Sequence, residues 1–158
     1  MAIQITHTII DVPFGQITVS ASDYYLQGID LFLPSTAVTD QISPITSKVI
    51  GELKQFFTQA HNAWSVPLLY QGTDFQQRVW QYLRAIPIGE TCSYSEVAKA
   101  LNSSARAVGN ACHANPFPIV VPCHRVVSKS GIGGFAGKIE GHEITVKQWL
   151  LKHEQKTH

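Results

Sequence analysis

The chain has 158 residues, of which 44% are hydrophobic and 15% charged, and a net charge of +1. This is the balance of a globular protein with room for one or two small domains. No apolar run approaches the roughly 20 residues that cross a bilayer, and the start lacks the basic-then-apolar pattern of a secretory signal, so a cytosolic protein without a membrane partner is expected.

From the N-terminus, Ile3 to Ile9 and Ile17 to Ala21 alternate apolar with polar residues, and Pro13-Phe14-Gly15 punctuates them. With Tyr24 to Leu33 they predict a short antiparallel meander. Ser43-Pro44 reads as an N-cap and first helical residue, followed by a helix with Val49, Ile50, Leu53, Phe56 and Phe57 on one face. The expectation for residues 1–72 is an α/β domain, a small antiparallel sheet plus a helix, ending near Gly72 and carrying no evident chemistry.

Residues 73–158 read as a mainly α domain. Asp74 with Gln77 resembles a capping box, and Phe75, Val79, Leu83 and Ile86 recur at helical spacing until Pro87. Ser93 with Glu96 reads as a second capping box, opening a short helix through Leu101. Asn102-Ser103-Ser104 has the length of the turn in a helix-turn-helix, and the next helix runs from about Ala105 to His113, where Asn115-Pro116 ends it. Ile119-Val120-Val121 is apolar enough for a buried strand. A glycine-rich loop, Ser130 to Gly134, follows, and a last helix from about Thr145 sets Val146, Trp149, Leu150 and His153 along one side.

Charge divides unevenly. Residues 1–74 carry six acids and two bases, a balance of −4, whereas residues 75–158 carry ten bases and five acids, a balance of +5. That polarity suits docking of the second half on phosphates, and equally suits ordinary surface variation.

The candidate chemistry centres on Pro122-Cys123-His124-Arg125-Val126. Cys92, Cys112 and Cys123 are an odd number without disulfide-framework spacing, as fits a reducing compartment. A free thiol with a pKa of about 8.5 is mostly protonated at neutral pH, so a nucleophilic cysteine needs a base or positive surroundings. An imidazole and a guanidinium follow Cys123 directly. On an extended strand His124 would point away from Cys123, so it acts on the thiol only if the backbone turns there or a water relays the proton. An isolated Cys-His pair is more often an inert buried cysteine. Cys112-His113 and Cys123-His124 also invite a zinc reading, but their spacing fits no common structural-zinc pattern, and no metal is expected.

The second half resembles the O6-alkylguanine-DNA alkyltransferases (methylated-DNA-protein-cysteine methyltransferases). The resemblance is carried by Phe75 to Trp80, Ile86 to Thr91, Ser93-Tyr94, Arg106 to Gly109, Asn115-Pro116, Pro122 to Val126 and Trp149 to Leu151, in order, and covers about Phe75 to Glu154. It implies a DNA-repair protein that transfers an alkyl group from O6-alkylguanine, and O4-methylthymine, in duplex DNA to its own Cys123. The transfer is stoichiometric and irreversible, because a thioether has no comparable leaving group. No cofactor is implied, since the lesion is the alkyl donor, and a monomer is expected.

The resemblance assigns Cys123 as nucleophile, His124 as the base acting through a water, Glu154 as the group orienting His124, and Tyr94 as a residue that helps rotate and hydrogen-bonds the flipped base. It places the second helix of the helix-turn-helix in the minor groove, with Arg106 filling the gap left by the extruded nucleotide and Ser93, Ala105, Ala107 and Gly109 in the DNA-binding surface. Small residues suit that task, because an α-helix is roughly 10–12 Å across and the minor groove only about 6 Å wide. The pocket is implied to include the carbonyls of Cys123 and Val126, a backbone N–H near Ala136, Phe135 where many relatives have tyrosine, and Asn115 as a hinge. Lys138 to Glu143 is longer than the usual link into the last helix.

Three other readings stay open on the residues. An alkyltransferase-like module would bind lesions without transfer and would lack Cys123. A cysteine hydrolase built on Cys123, His124 and Glu154 would turn over without DNA. A redox-sensing helix-turn-helix regulator would need a specific operator.

Overall fold

In the computed structural model, residues 4–32, 42–135 and 138–156 are described. The chain divides into two units, Met1–Tyr70 and Gln71–His158, two residues before the boundary read from the sequence.

In the first unit, β1 (Thr6–Val12), β2 (Gly15–Ala21) and β3 (Leu26–Asp30) form an antiparallel sheet in the order β1-β2-β3. Val12 pairs with Gly15, so Pro13-Phe14 is the two-residue turn that the punctuation predicts. The central strand does not keep the expected alternation: Thr18 is buried along with Ile17, Val19 and Ala21. The third strand starts later than Tyr24, because the Ser22 hydroxyl accepts the N–H groups of Tyr24 and Tyr25 and holds them in a turn. Ile3 and Leu33, the outer ends of the predicted strands, lie outside the described residues. Helix α1 (Pro44–Thr58) begins as expected, with Ser43 accepting from the Thr46 N–H and Pro44 opening the first turn. Its buried face is Thr46, Val49, Leu53 and Phe56. Ile50 and Phe57 fall to the half-buried flank, where the Phe57 ring meets Phe14 edge-on at 5.8 Å.

The second unit contains α2 (Asp74–Arg84), β4 (Cys92–Ser93), α3 (Tyr94–Ala100), α4 (Ala105–His113), a 3-10 turn over Cys123–Arg125, β5 (Val126–Val127) and α5 (His142–Lys156). The cap of α2 sits one residue earlier than the sequence suggested. Thr73, not Asp74, accepts from the N–H of Gln76, and the Gln76 side chain returns to the Thr73 N–H at 2.9 Å. Thr73 is the better cap because its hydroxyl reaches the third helical N–H and leaves Asp74 in the first turn, where its charge opposes the helix dipole. Val79, Trp80 and Leu83 form the buried face of α2, and the Trp80 indole N–H donates to the Ala111 carbonyl of α4 at 2.9 Å. Ser93 caps α3 by accepting from the Glu96 N–H, and Ser104 caps α4 through Ala107.

Two further expectations are corrected. Ile119-Val120-Val121 is buried but is not a strand: Ile119 adopts φ +77° and the Val121 N–H returns to the Phe117 carbonyl, so the segment is an interior turn. The chain then enters the 3-10 turn and only afterwards pairs β5 with β4, in parallel. The last helix starts at His142, before Thr145, and absorbs the end of the long link.

Replacing Thr73 with Ala removes one half of the reciprocal cap and is expected to lower stability by about 1 kcal/mol. Urea unfolding followed by tryptophan fluorescence checks this, and an unchanged midpoint would show that the cap contributes nothing.

Candidate active site

Because the chain turns at Cys123–Arg125, the three side chains leave the backbone in different directions, and all three are buried. His124 and Arg125 both reach α5. The Nε2 of His124 lies 2.9 Å from Oε2 of Glu154. Arg125 donates from Nε to Oε1 at 2.9 Å and from a terminal nitrogen to Oε2 at 2.6 Å, and its other terminal nitrogen donates to the Ile86 carbonyl at 2.7 Å. A single carboxylate, only 1% exposed, thus receives the imidazole and a bidentate guanidinium.

Burial pushes the Glu154 carboxyl up, His124 and Arg125 pull it down, and the balance holds it at about 2. Burial pushes His124 below the usual imidazole range against the pull of Glu154, so the ring is neutral at neutral pH. The fixed positive partner of Glu154 is therefore Arg125. A neutral ring that donates from Nε2 to a carboxylate carries its lone pair on Nδ1. Nδ1 is buried and makes no hydrogen bond to the protein among the described residues. A free, oriented lone pair is what a general base requires.

Cys123 is 7% exposed and lines a cavity of about 320 Å³ together with Tyr94, Asn110, Cys112, Phe135 and Ile139. Burial pushes its thiol up. The side-chain amide of Asn115, the charge of Lys147 and the backbone N–H groups of Cys123 and His124 all act in the opposite direction. The guanidinium next in sequence was expected to favour the thiolate, but it is turned onto Glu154, and the cation that bears on the thiol is Lys147. This lysine, fully buried on α5, donates to the carbonyls of Val126 at 2.7 Å and Gly134 at 2.9 Å and stands 5.8 Å above the Tyr94 ring. Its burial lowers it to about 8. Sequence reading missed it. Its only signal was position, since Lys147, Leu150 and Glu154 fall at i, i+3 and i+7 on the buried side of one helix.

Tyr94 opens α3 and donates to the Gly134 carbonyl at 3.3 Å. Burial, then the neighbouring thiols Cys112 and Cys123, push its phenol up to about 12, so it is a donor at neutral pH. Gly133 makes room for it: at φ +75° a Cβ there would stand 3.0 Å from both the ring and the Ser128 nitrogen. Ser93, expected in the DNA-binding surface, is buried with its hydroxyl in the α3 cap, so it positions Tyr94 and presents no hydroxyl at the surface.

Asn115 links the end of α4 to the cysteine segment, donating to the Val121 carbonyl at 2.8 Å and accepting from the Phe117 N–H at 2.9 Å. The carbonyl of Cys123 accepts from the Val126 N–H and that of Val126 from Lys147. Ala136 lies outside the described residues.

Arg106 and Ala105 are exposed at the start of α4, with Ala107 and Gly109 half-buried behind them. Arg106 lines a second cavity, of about 440 Å³, with Ser95, Ser128 and Lys129. Tyr94 and Gly109 border both cavities, so they stand between the arginine and the cysteine. Among the described residues no three His, Cys, Asp or Glu side chains gather as a metal site, and no helix is long and apolar enough to cross a membrane.

Residues 74–156 match the family model for the 6-O-methylguanine DNA methyltransferase DNA-binding domain. A probable methylated-DNA–protein-cysteine methyltransferase of Acanthamoeba polyphaga mimivirus is 37% identical over 151 residues, covering 94% of this chain and 95% of the relative. Among solved structures, the Mycobacterium tuberculosis O6-methylguanine methyltransferase superposes with a TM-score of 0.84 at 33% identity, covering 98% of this chain and 95% of that one. The M. tuberculosis OGT in complex with DNA gives 0.82 at 37% identity, covering 96% and 94%.

Glu154→Gln leaves the Arg125 guanidinium buried without its counter-charge and is expected to cost about 3–5 kcal/mol at neutral pH. Because the Glu154 carboxyl is depressed in the folded state, its contribution is complete above its ordinary value of 4.5 and is lost as pH falls towards about 2. The two proteins should therefore converge in urea-unfolding stability over that interval. A constant difference down to pH 2 would contradict the pairing.

Proposed function

This chain belongs to the 6-O-methylguanine DNA methyltransferase family and repairs DNA by direct alkyl transfer, and from that premise we propose that Cys123 is the acceptor of the alkyl group of O6-alkylguanine. The observation that carries the proposal is a buried cysteine on the floor of a cavity, beside an imidazole whose Nε2 is bound to Glu154 at 2.9 Å and whose Nδ1 is unpartnered.

In this reading Nδ1 of His124 takes the thiol proton through one bridging water, and Lys147, Asn115 and the N–H groups at the 3-10 turn hold the thiolate that forms. The sulfur attacks the alkyl carbon of a flipped guanine. The S–C bond forms, the C–O6 bond breaks with its electron pair going to O6, and the Tyr94 phenol, a donor up to about pH 12, hydrogen-bonds the departing guanine anion, which is neutralised by one proton from solvent while His124 returns the thiol proton to solvent. The product is guanine and an S-alkylcysteine, without a cofactor, and the thioether ends the protein's activity after one event. O4-methylthymine is accepted by the same displacement. The protein works as a cytoplasmic monomer.

The lesion lies inside the stack, so it must be extruded at a cost of a few kcal/mol. Arg106 enters the space it leaves, from a helix whose small residues let it approach the minor groove. The adjacency of the two cavities across Tyr94 and Gly109 supports this reading, because it puts the arginine on one side of Tyr94 and the acceptor on the other.

Cys123→Ser is expected to abolish transfer while lesion-containing duplex still binds. Intact mass and peptide mapping of reacted wild-type protein should find one alkyl group on Cys123. An alkyl group on Cys92 or Cys112 sinks the assignment, repeated turnover without DNA selects a hydrolase, and lesion binding with no mass change selects a non-transferring module.

Arg106→Ala is expected to slow transfer from duplex by about 10-fold or more, in line with a few kcal/mol of unstacking to be offset, while reaction with free benzylguanine is nearly unchanged. Equal losses on both substrates would place Arg106 in the pocket or the fold.

A further inference from the structure

The cavity over Cys123 has closely packed backbone on one side and an exposed side chain on the other. On the closed side, a Cβ at Gly134 would stand 3.0 Å from the Lys138 carbonyl, and one at Gly133 would meet Tyr94 and the Ser128 nitrogen. Phe135 and Lys138 exchange both backbone hydrogen bonds, at 2.8 and 2.9 Å, which fixes the base of that loop. The lip is formed by the residue that follows. Ile139 lines the cavity and yet is 84% exposed. Its Cγ2 lies 3.9 Å from where a Gly134 Cβ would be, so the side chain rests against the backbone whose carbonyl holds both the Tyr94 hydroxyl and Lys147. The other exposed large hydrophobic residues among those described, Tyr24, Tyr25 and Ile42, belong to the first unit. Among the described residues of the second unit, Ile139 is thus the one exposed large hydrophobic side chain, and it lines the cavity that also holds Cys123.

We propose that Ile139 is a specificity residue that selects for O6 substituents larger than methyl by covering their apolar surface. The inference rests on the reading of Cys123 as acceptor. A methyl group ends at the carbon that the sulfur attacks and has nothing left to bury. The carbon skeleton of a benzyl or butyl substituent continues past that carbon towards the mouth of the cavity. There Ile139 offers an apolar surface already in place. Covering that surface removes water from both partners, in the bound and the reacting state alike. Lys138, beside it on the lip, supplies a charge control.

The test is the second-order rate constant of transfer, measured below saturation in single turnover, on one duplex carrying either O6-methylguanine or O6-benzylguanine, for wild type, Ile139→Ser and Lys138→Gln. Ile139 is exposed, so its replacement leaves the fold intact. Ile139→Ser should slow benzyl transfer by about three- to ten-fold and methyl transfer by less than about two-fold, a smaller loss than a fully enclosed apolar contact gives. Equal losses on both lesions, or no loss on benzylguanine, would overturn the inference, as would a selective loss in Lys138→Gln with none in Ile139→Ser. Wild-type protein that transfers methyl but not benzyl also overturns it while leaving the acceptor assignment standing. Wild-type protein that transfers neither overturns both.

Discussion

The second unit depends on one buried carboxylate. Glu154 takes the imidazole of His124 and the fork of Arg125, so two consecutive residues of the cysteine segment are tied to the last helix through three hydrogen bonds on two oxygens. Arg125 also reaches back to the Ile86 carbonyl, at the end of α2. Such a pair in the interior does not add much net stability, because both ions lose their hydration, but it admits very few arrangements. Its consequence is orientation. The guanidinium keeps Glu154 ionised, the ionised Glu154 fixes which imidazole nitrogen carries the proton, and the other nitrogen is thereby left as a base.

Around Cys123 the physical problem runs the other way. A thiol buried this deeply resists ionisation. The counterweights are small and come from separate parts of the chain: an amide from the end of α4, backbone N–H groups of the 3-10 turn, and an ammonium from α5. Lys147 is held by two carbonyls and lies over Tyr94, so one side chain bears on the Cys123 thiol, the phenol and the Gly134 backbone. Burial and these counterweights thus act on the thiol in opposite directions.

The helix-turn-helix is coupled to this chemistry through Tyr94. It is the first residue of α3, aimed by the Ser93 cap, packed against Gly133 and placed between the cavity of Arg106 and that of Cys123. The first unit contributes its own sheet and helix, with a core of Ile17, Val19, Leu26, Val49, Leu53 and Phe56, and holds none of the candidate catalytic groups.

Most helices and the candidate site residues were legible in the amino-acid sequence. Caps and turns are local chemistry: Ser43-Pro44, the Asn102-Ser103-Ser104 turn and Asn115-Pro116 each act within a few residues, so α1, α3 and α4 were legible at nearly their observed ends, while Thr73 displaced Asp74 as a cap by a single residue. The motif around Cys123, His124 and Glu154 was legible through resemblance, and the fold brings His124 and Glu154 together at 2.9 Å. What the tertiary structure alone decided is which way the charges face. Ile119 to Val121 has the composition of a strand and becomes an interior turn, since the Phe117 carbonyl and a positive φ at Ile119 redirect the chain. That turn sends Arg125 to Glu154, not to the thiol, and leaves the thiol to Lys147, twenty-four positions later in the chain. Burial and long-range electrostatics depend on which segments pack together, and no local pattern encodes that a lysine will be fully enclosed or that an isoleucine will stand 84% exposed at a cavity mouth.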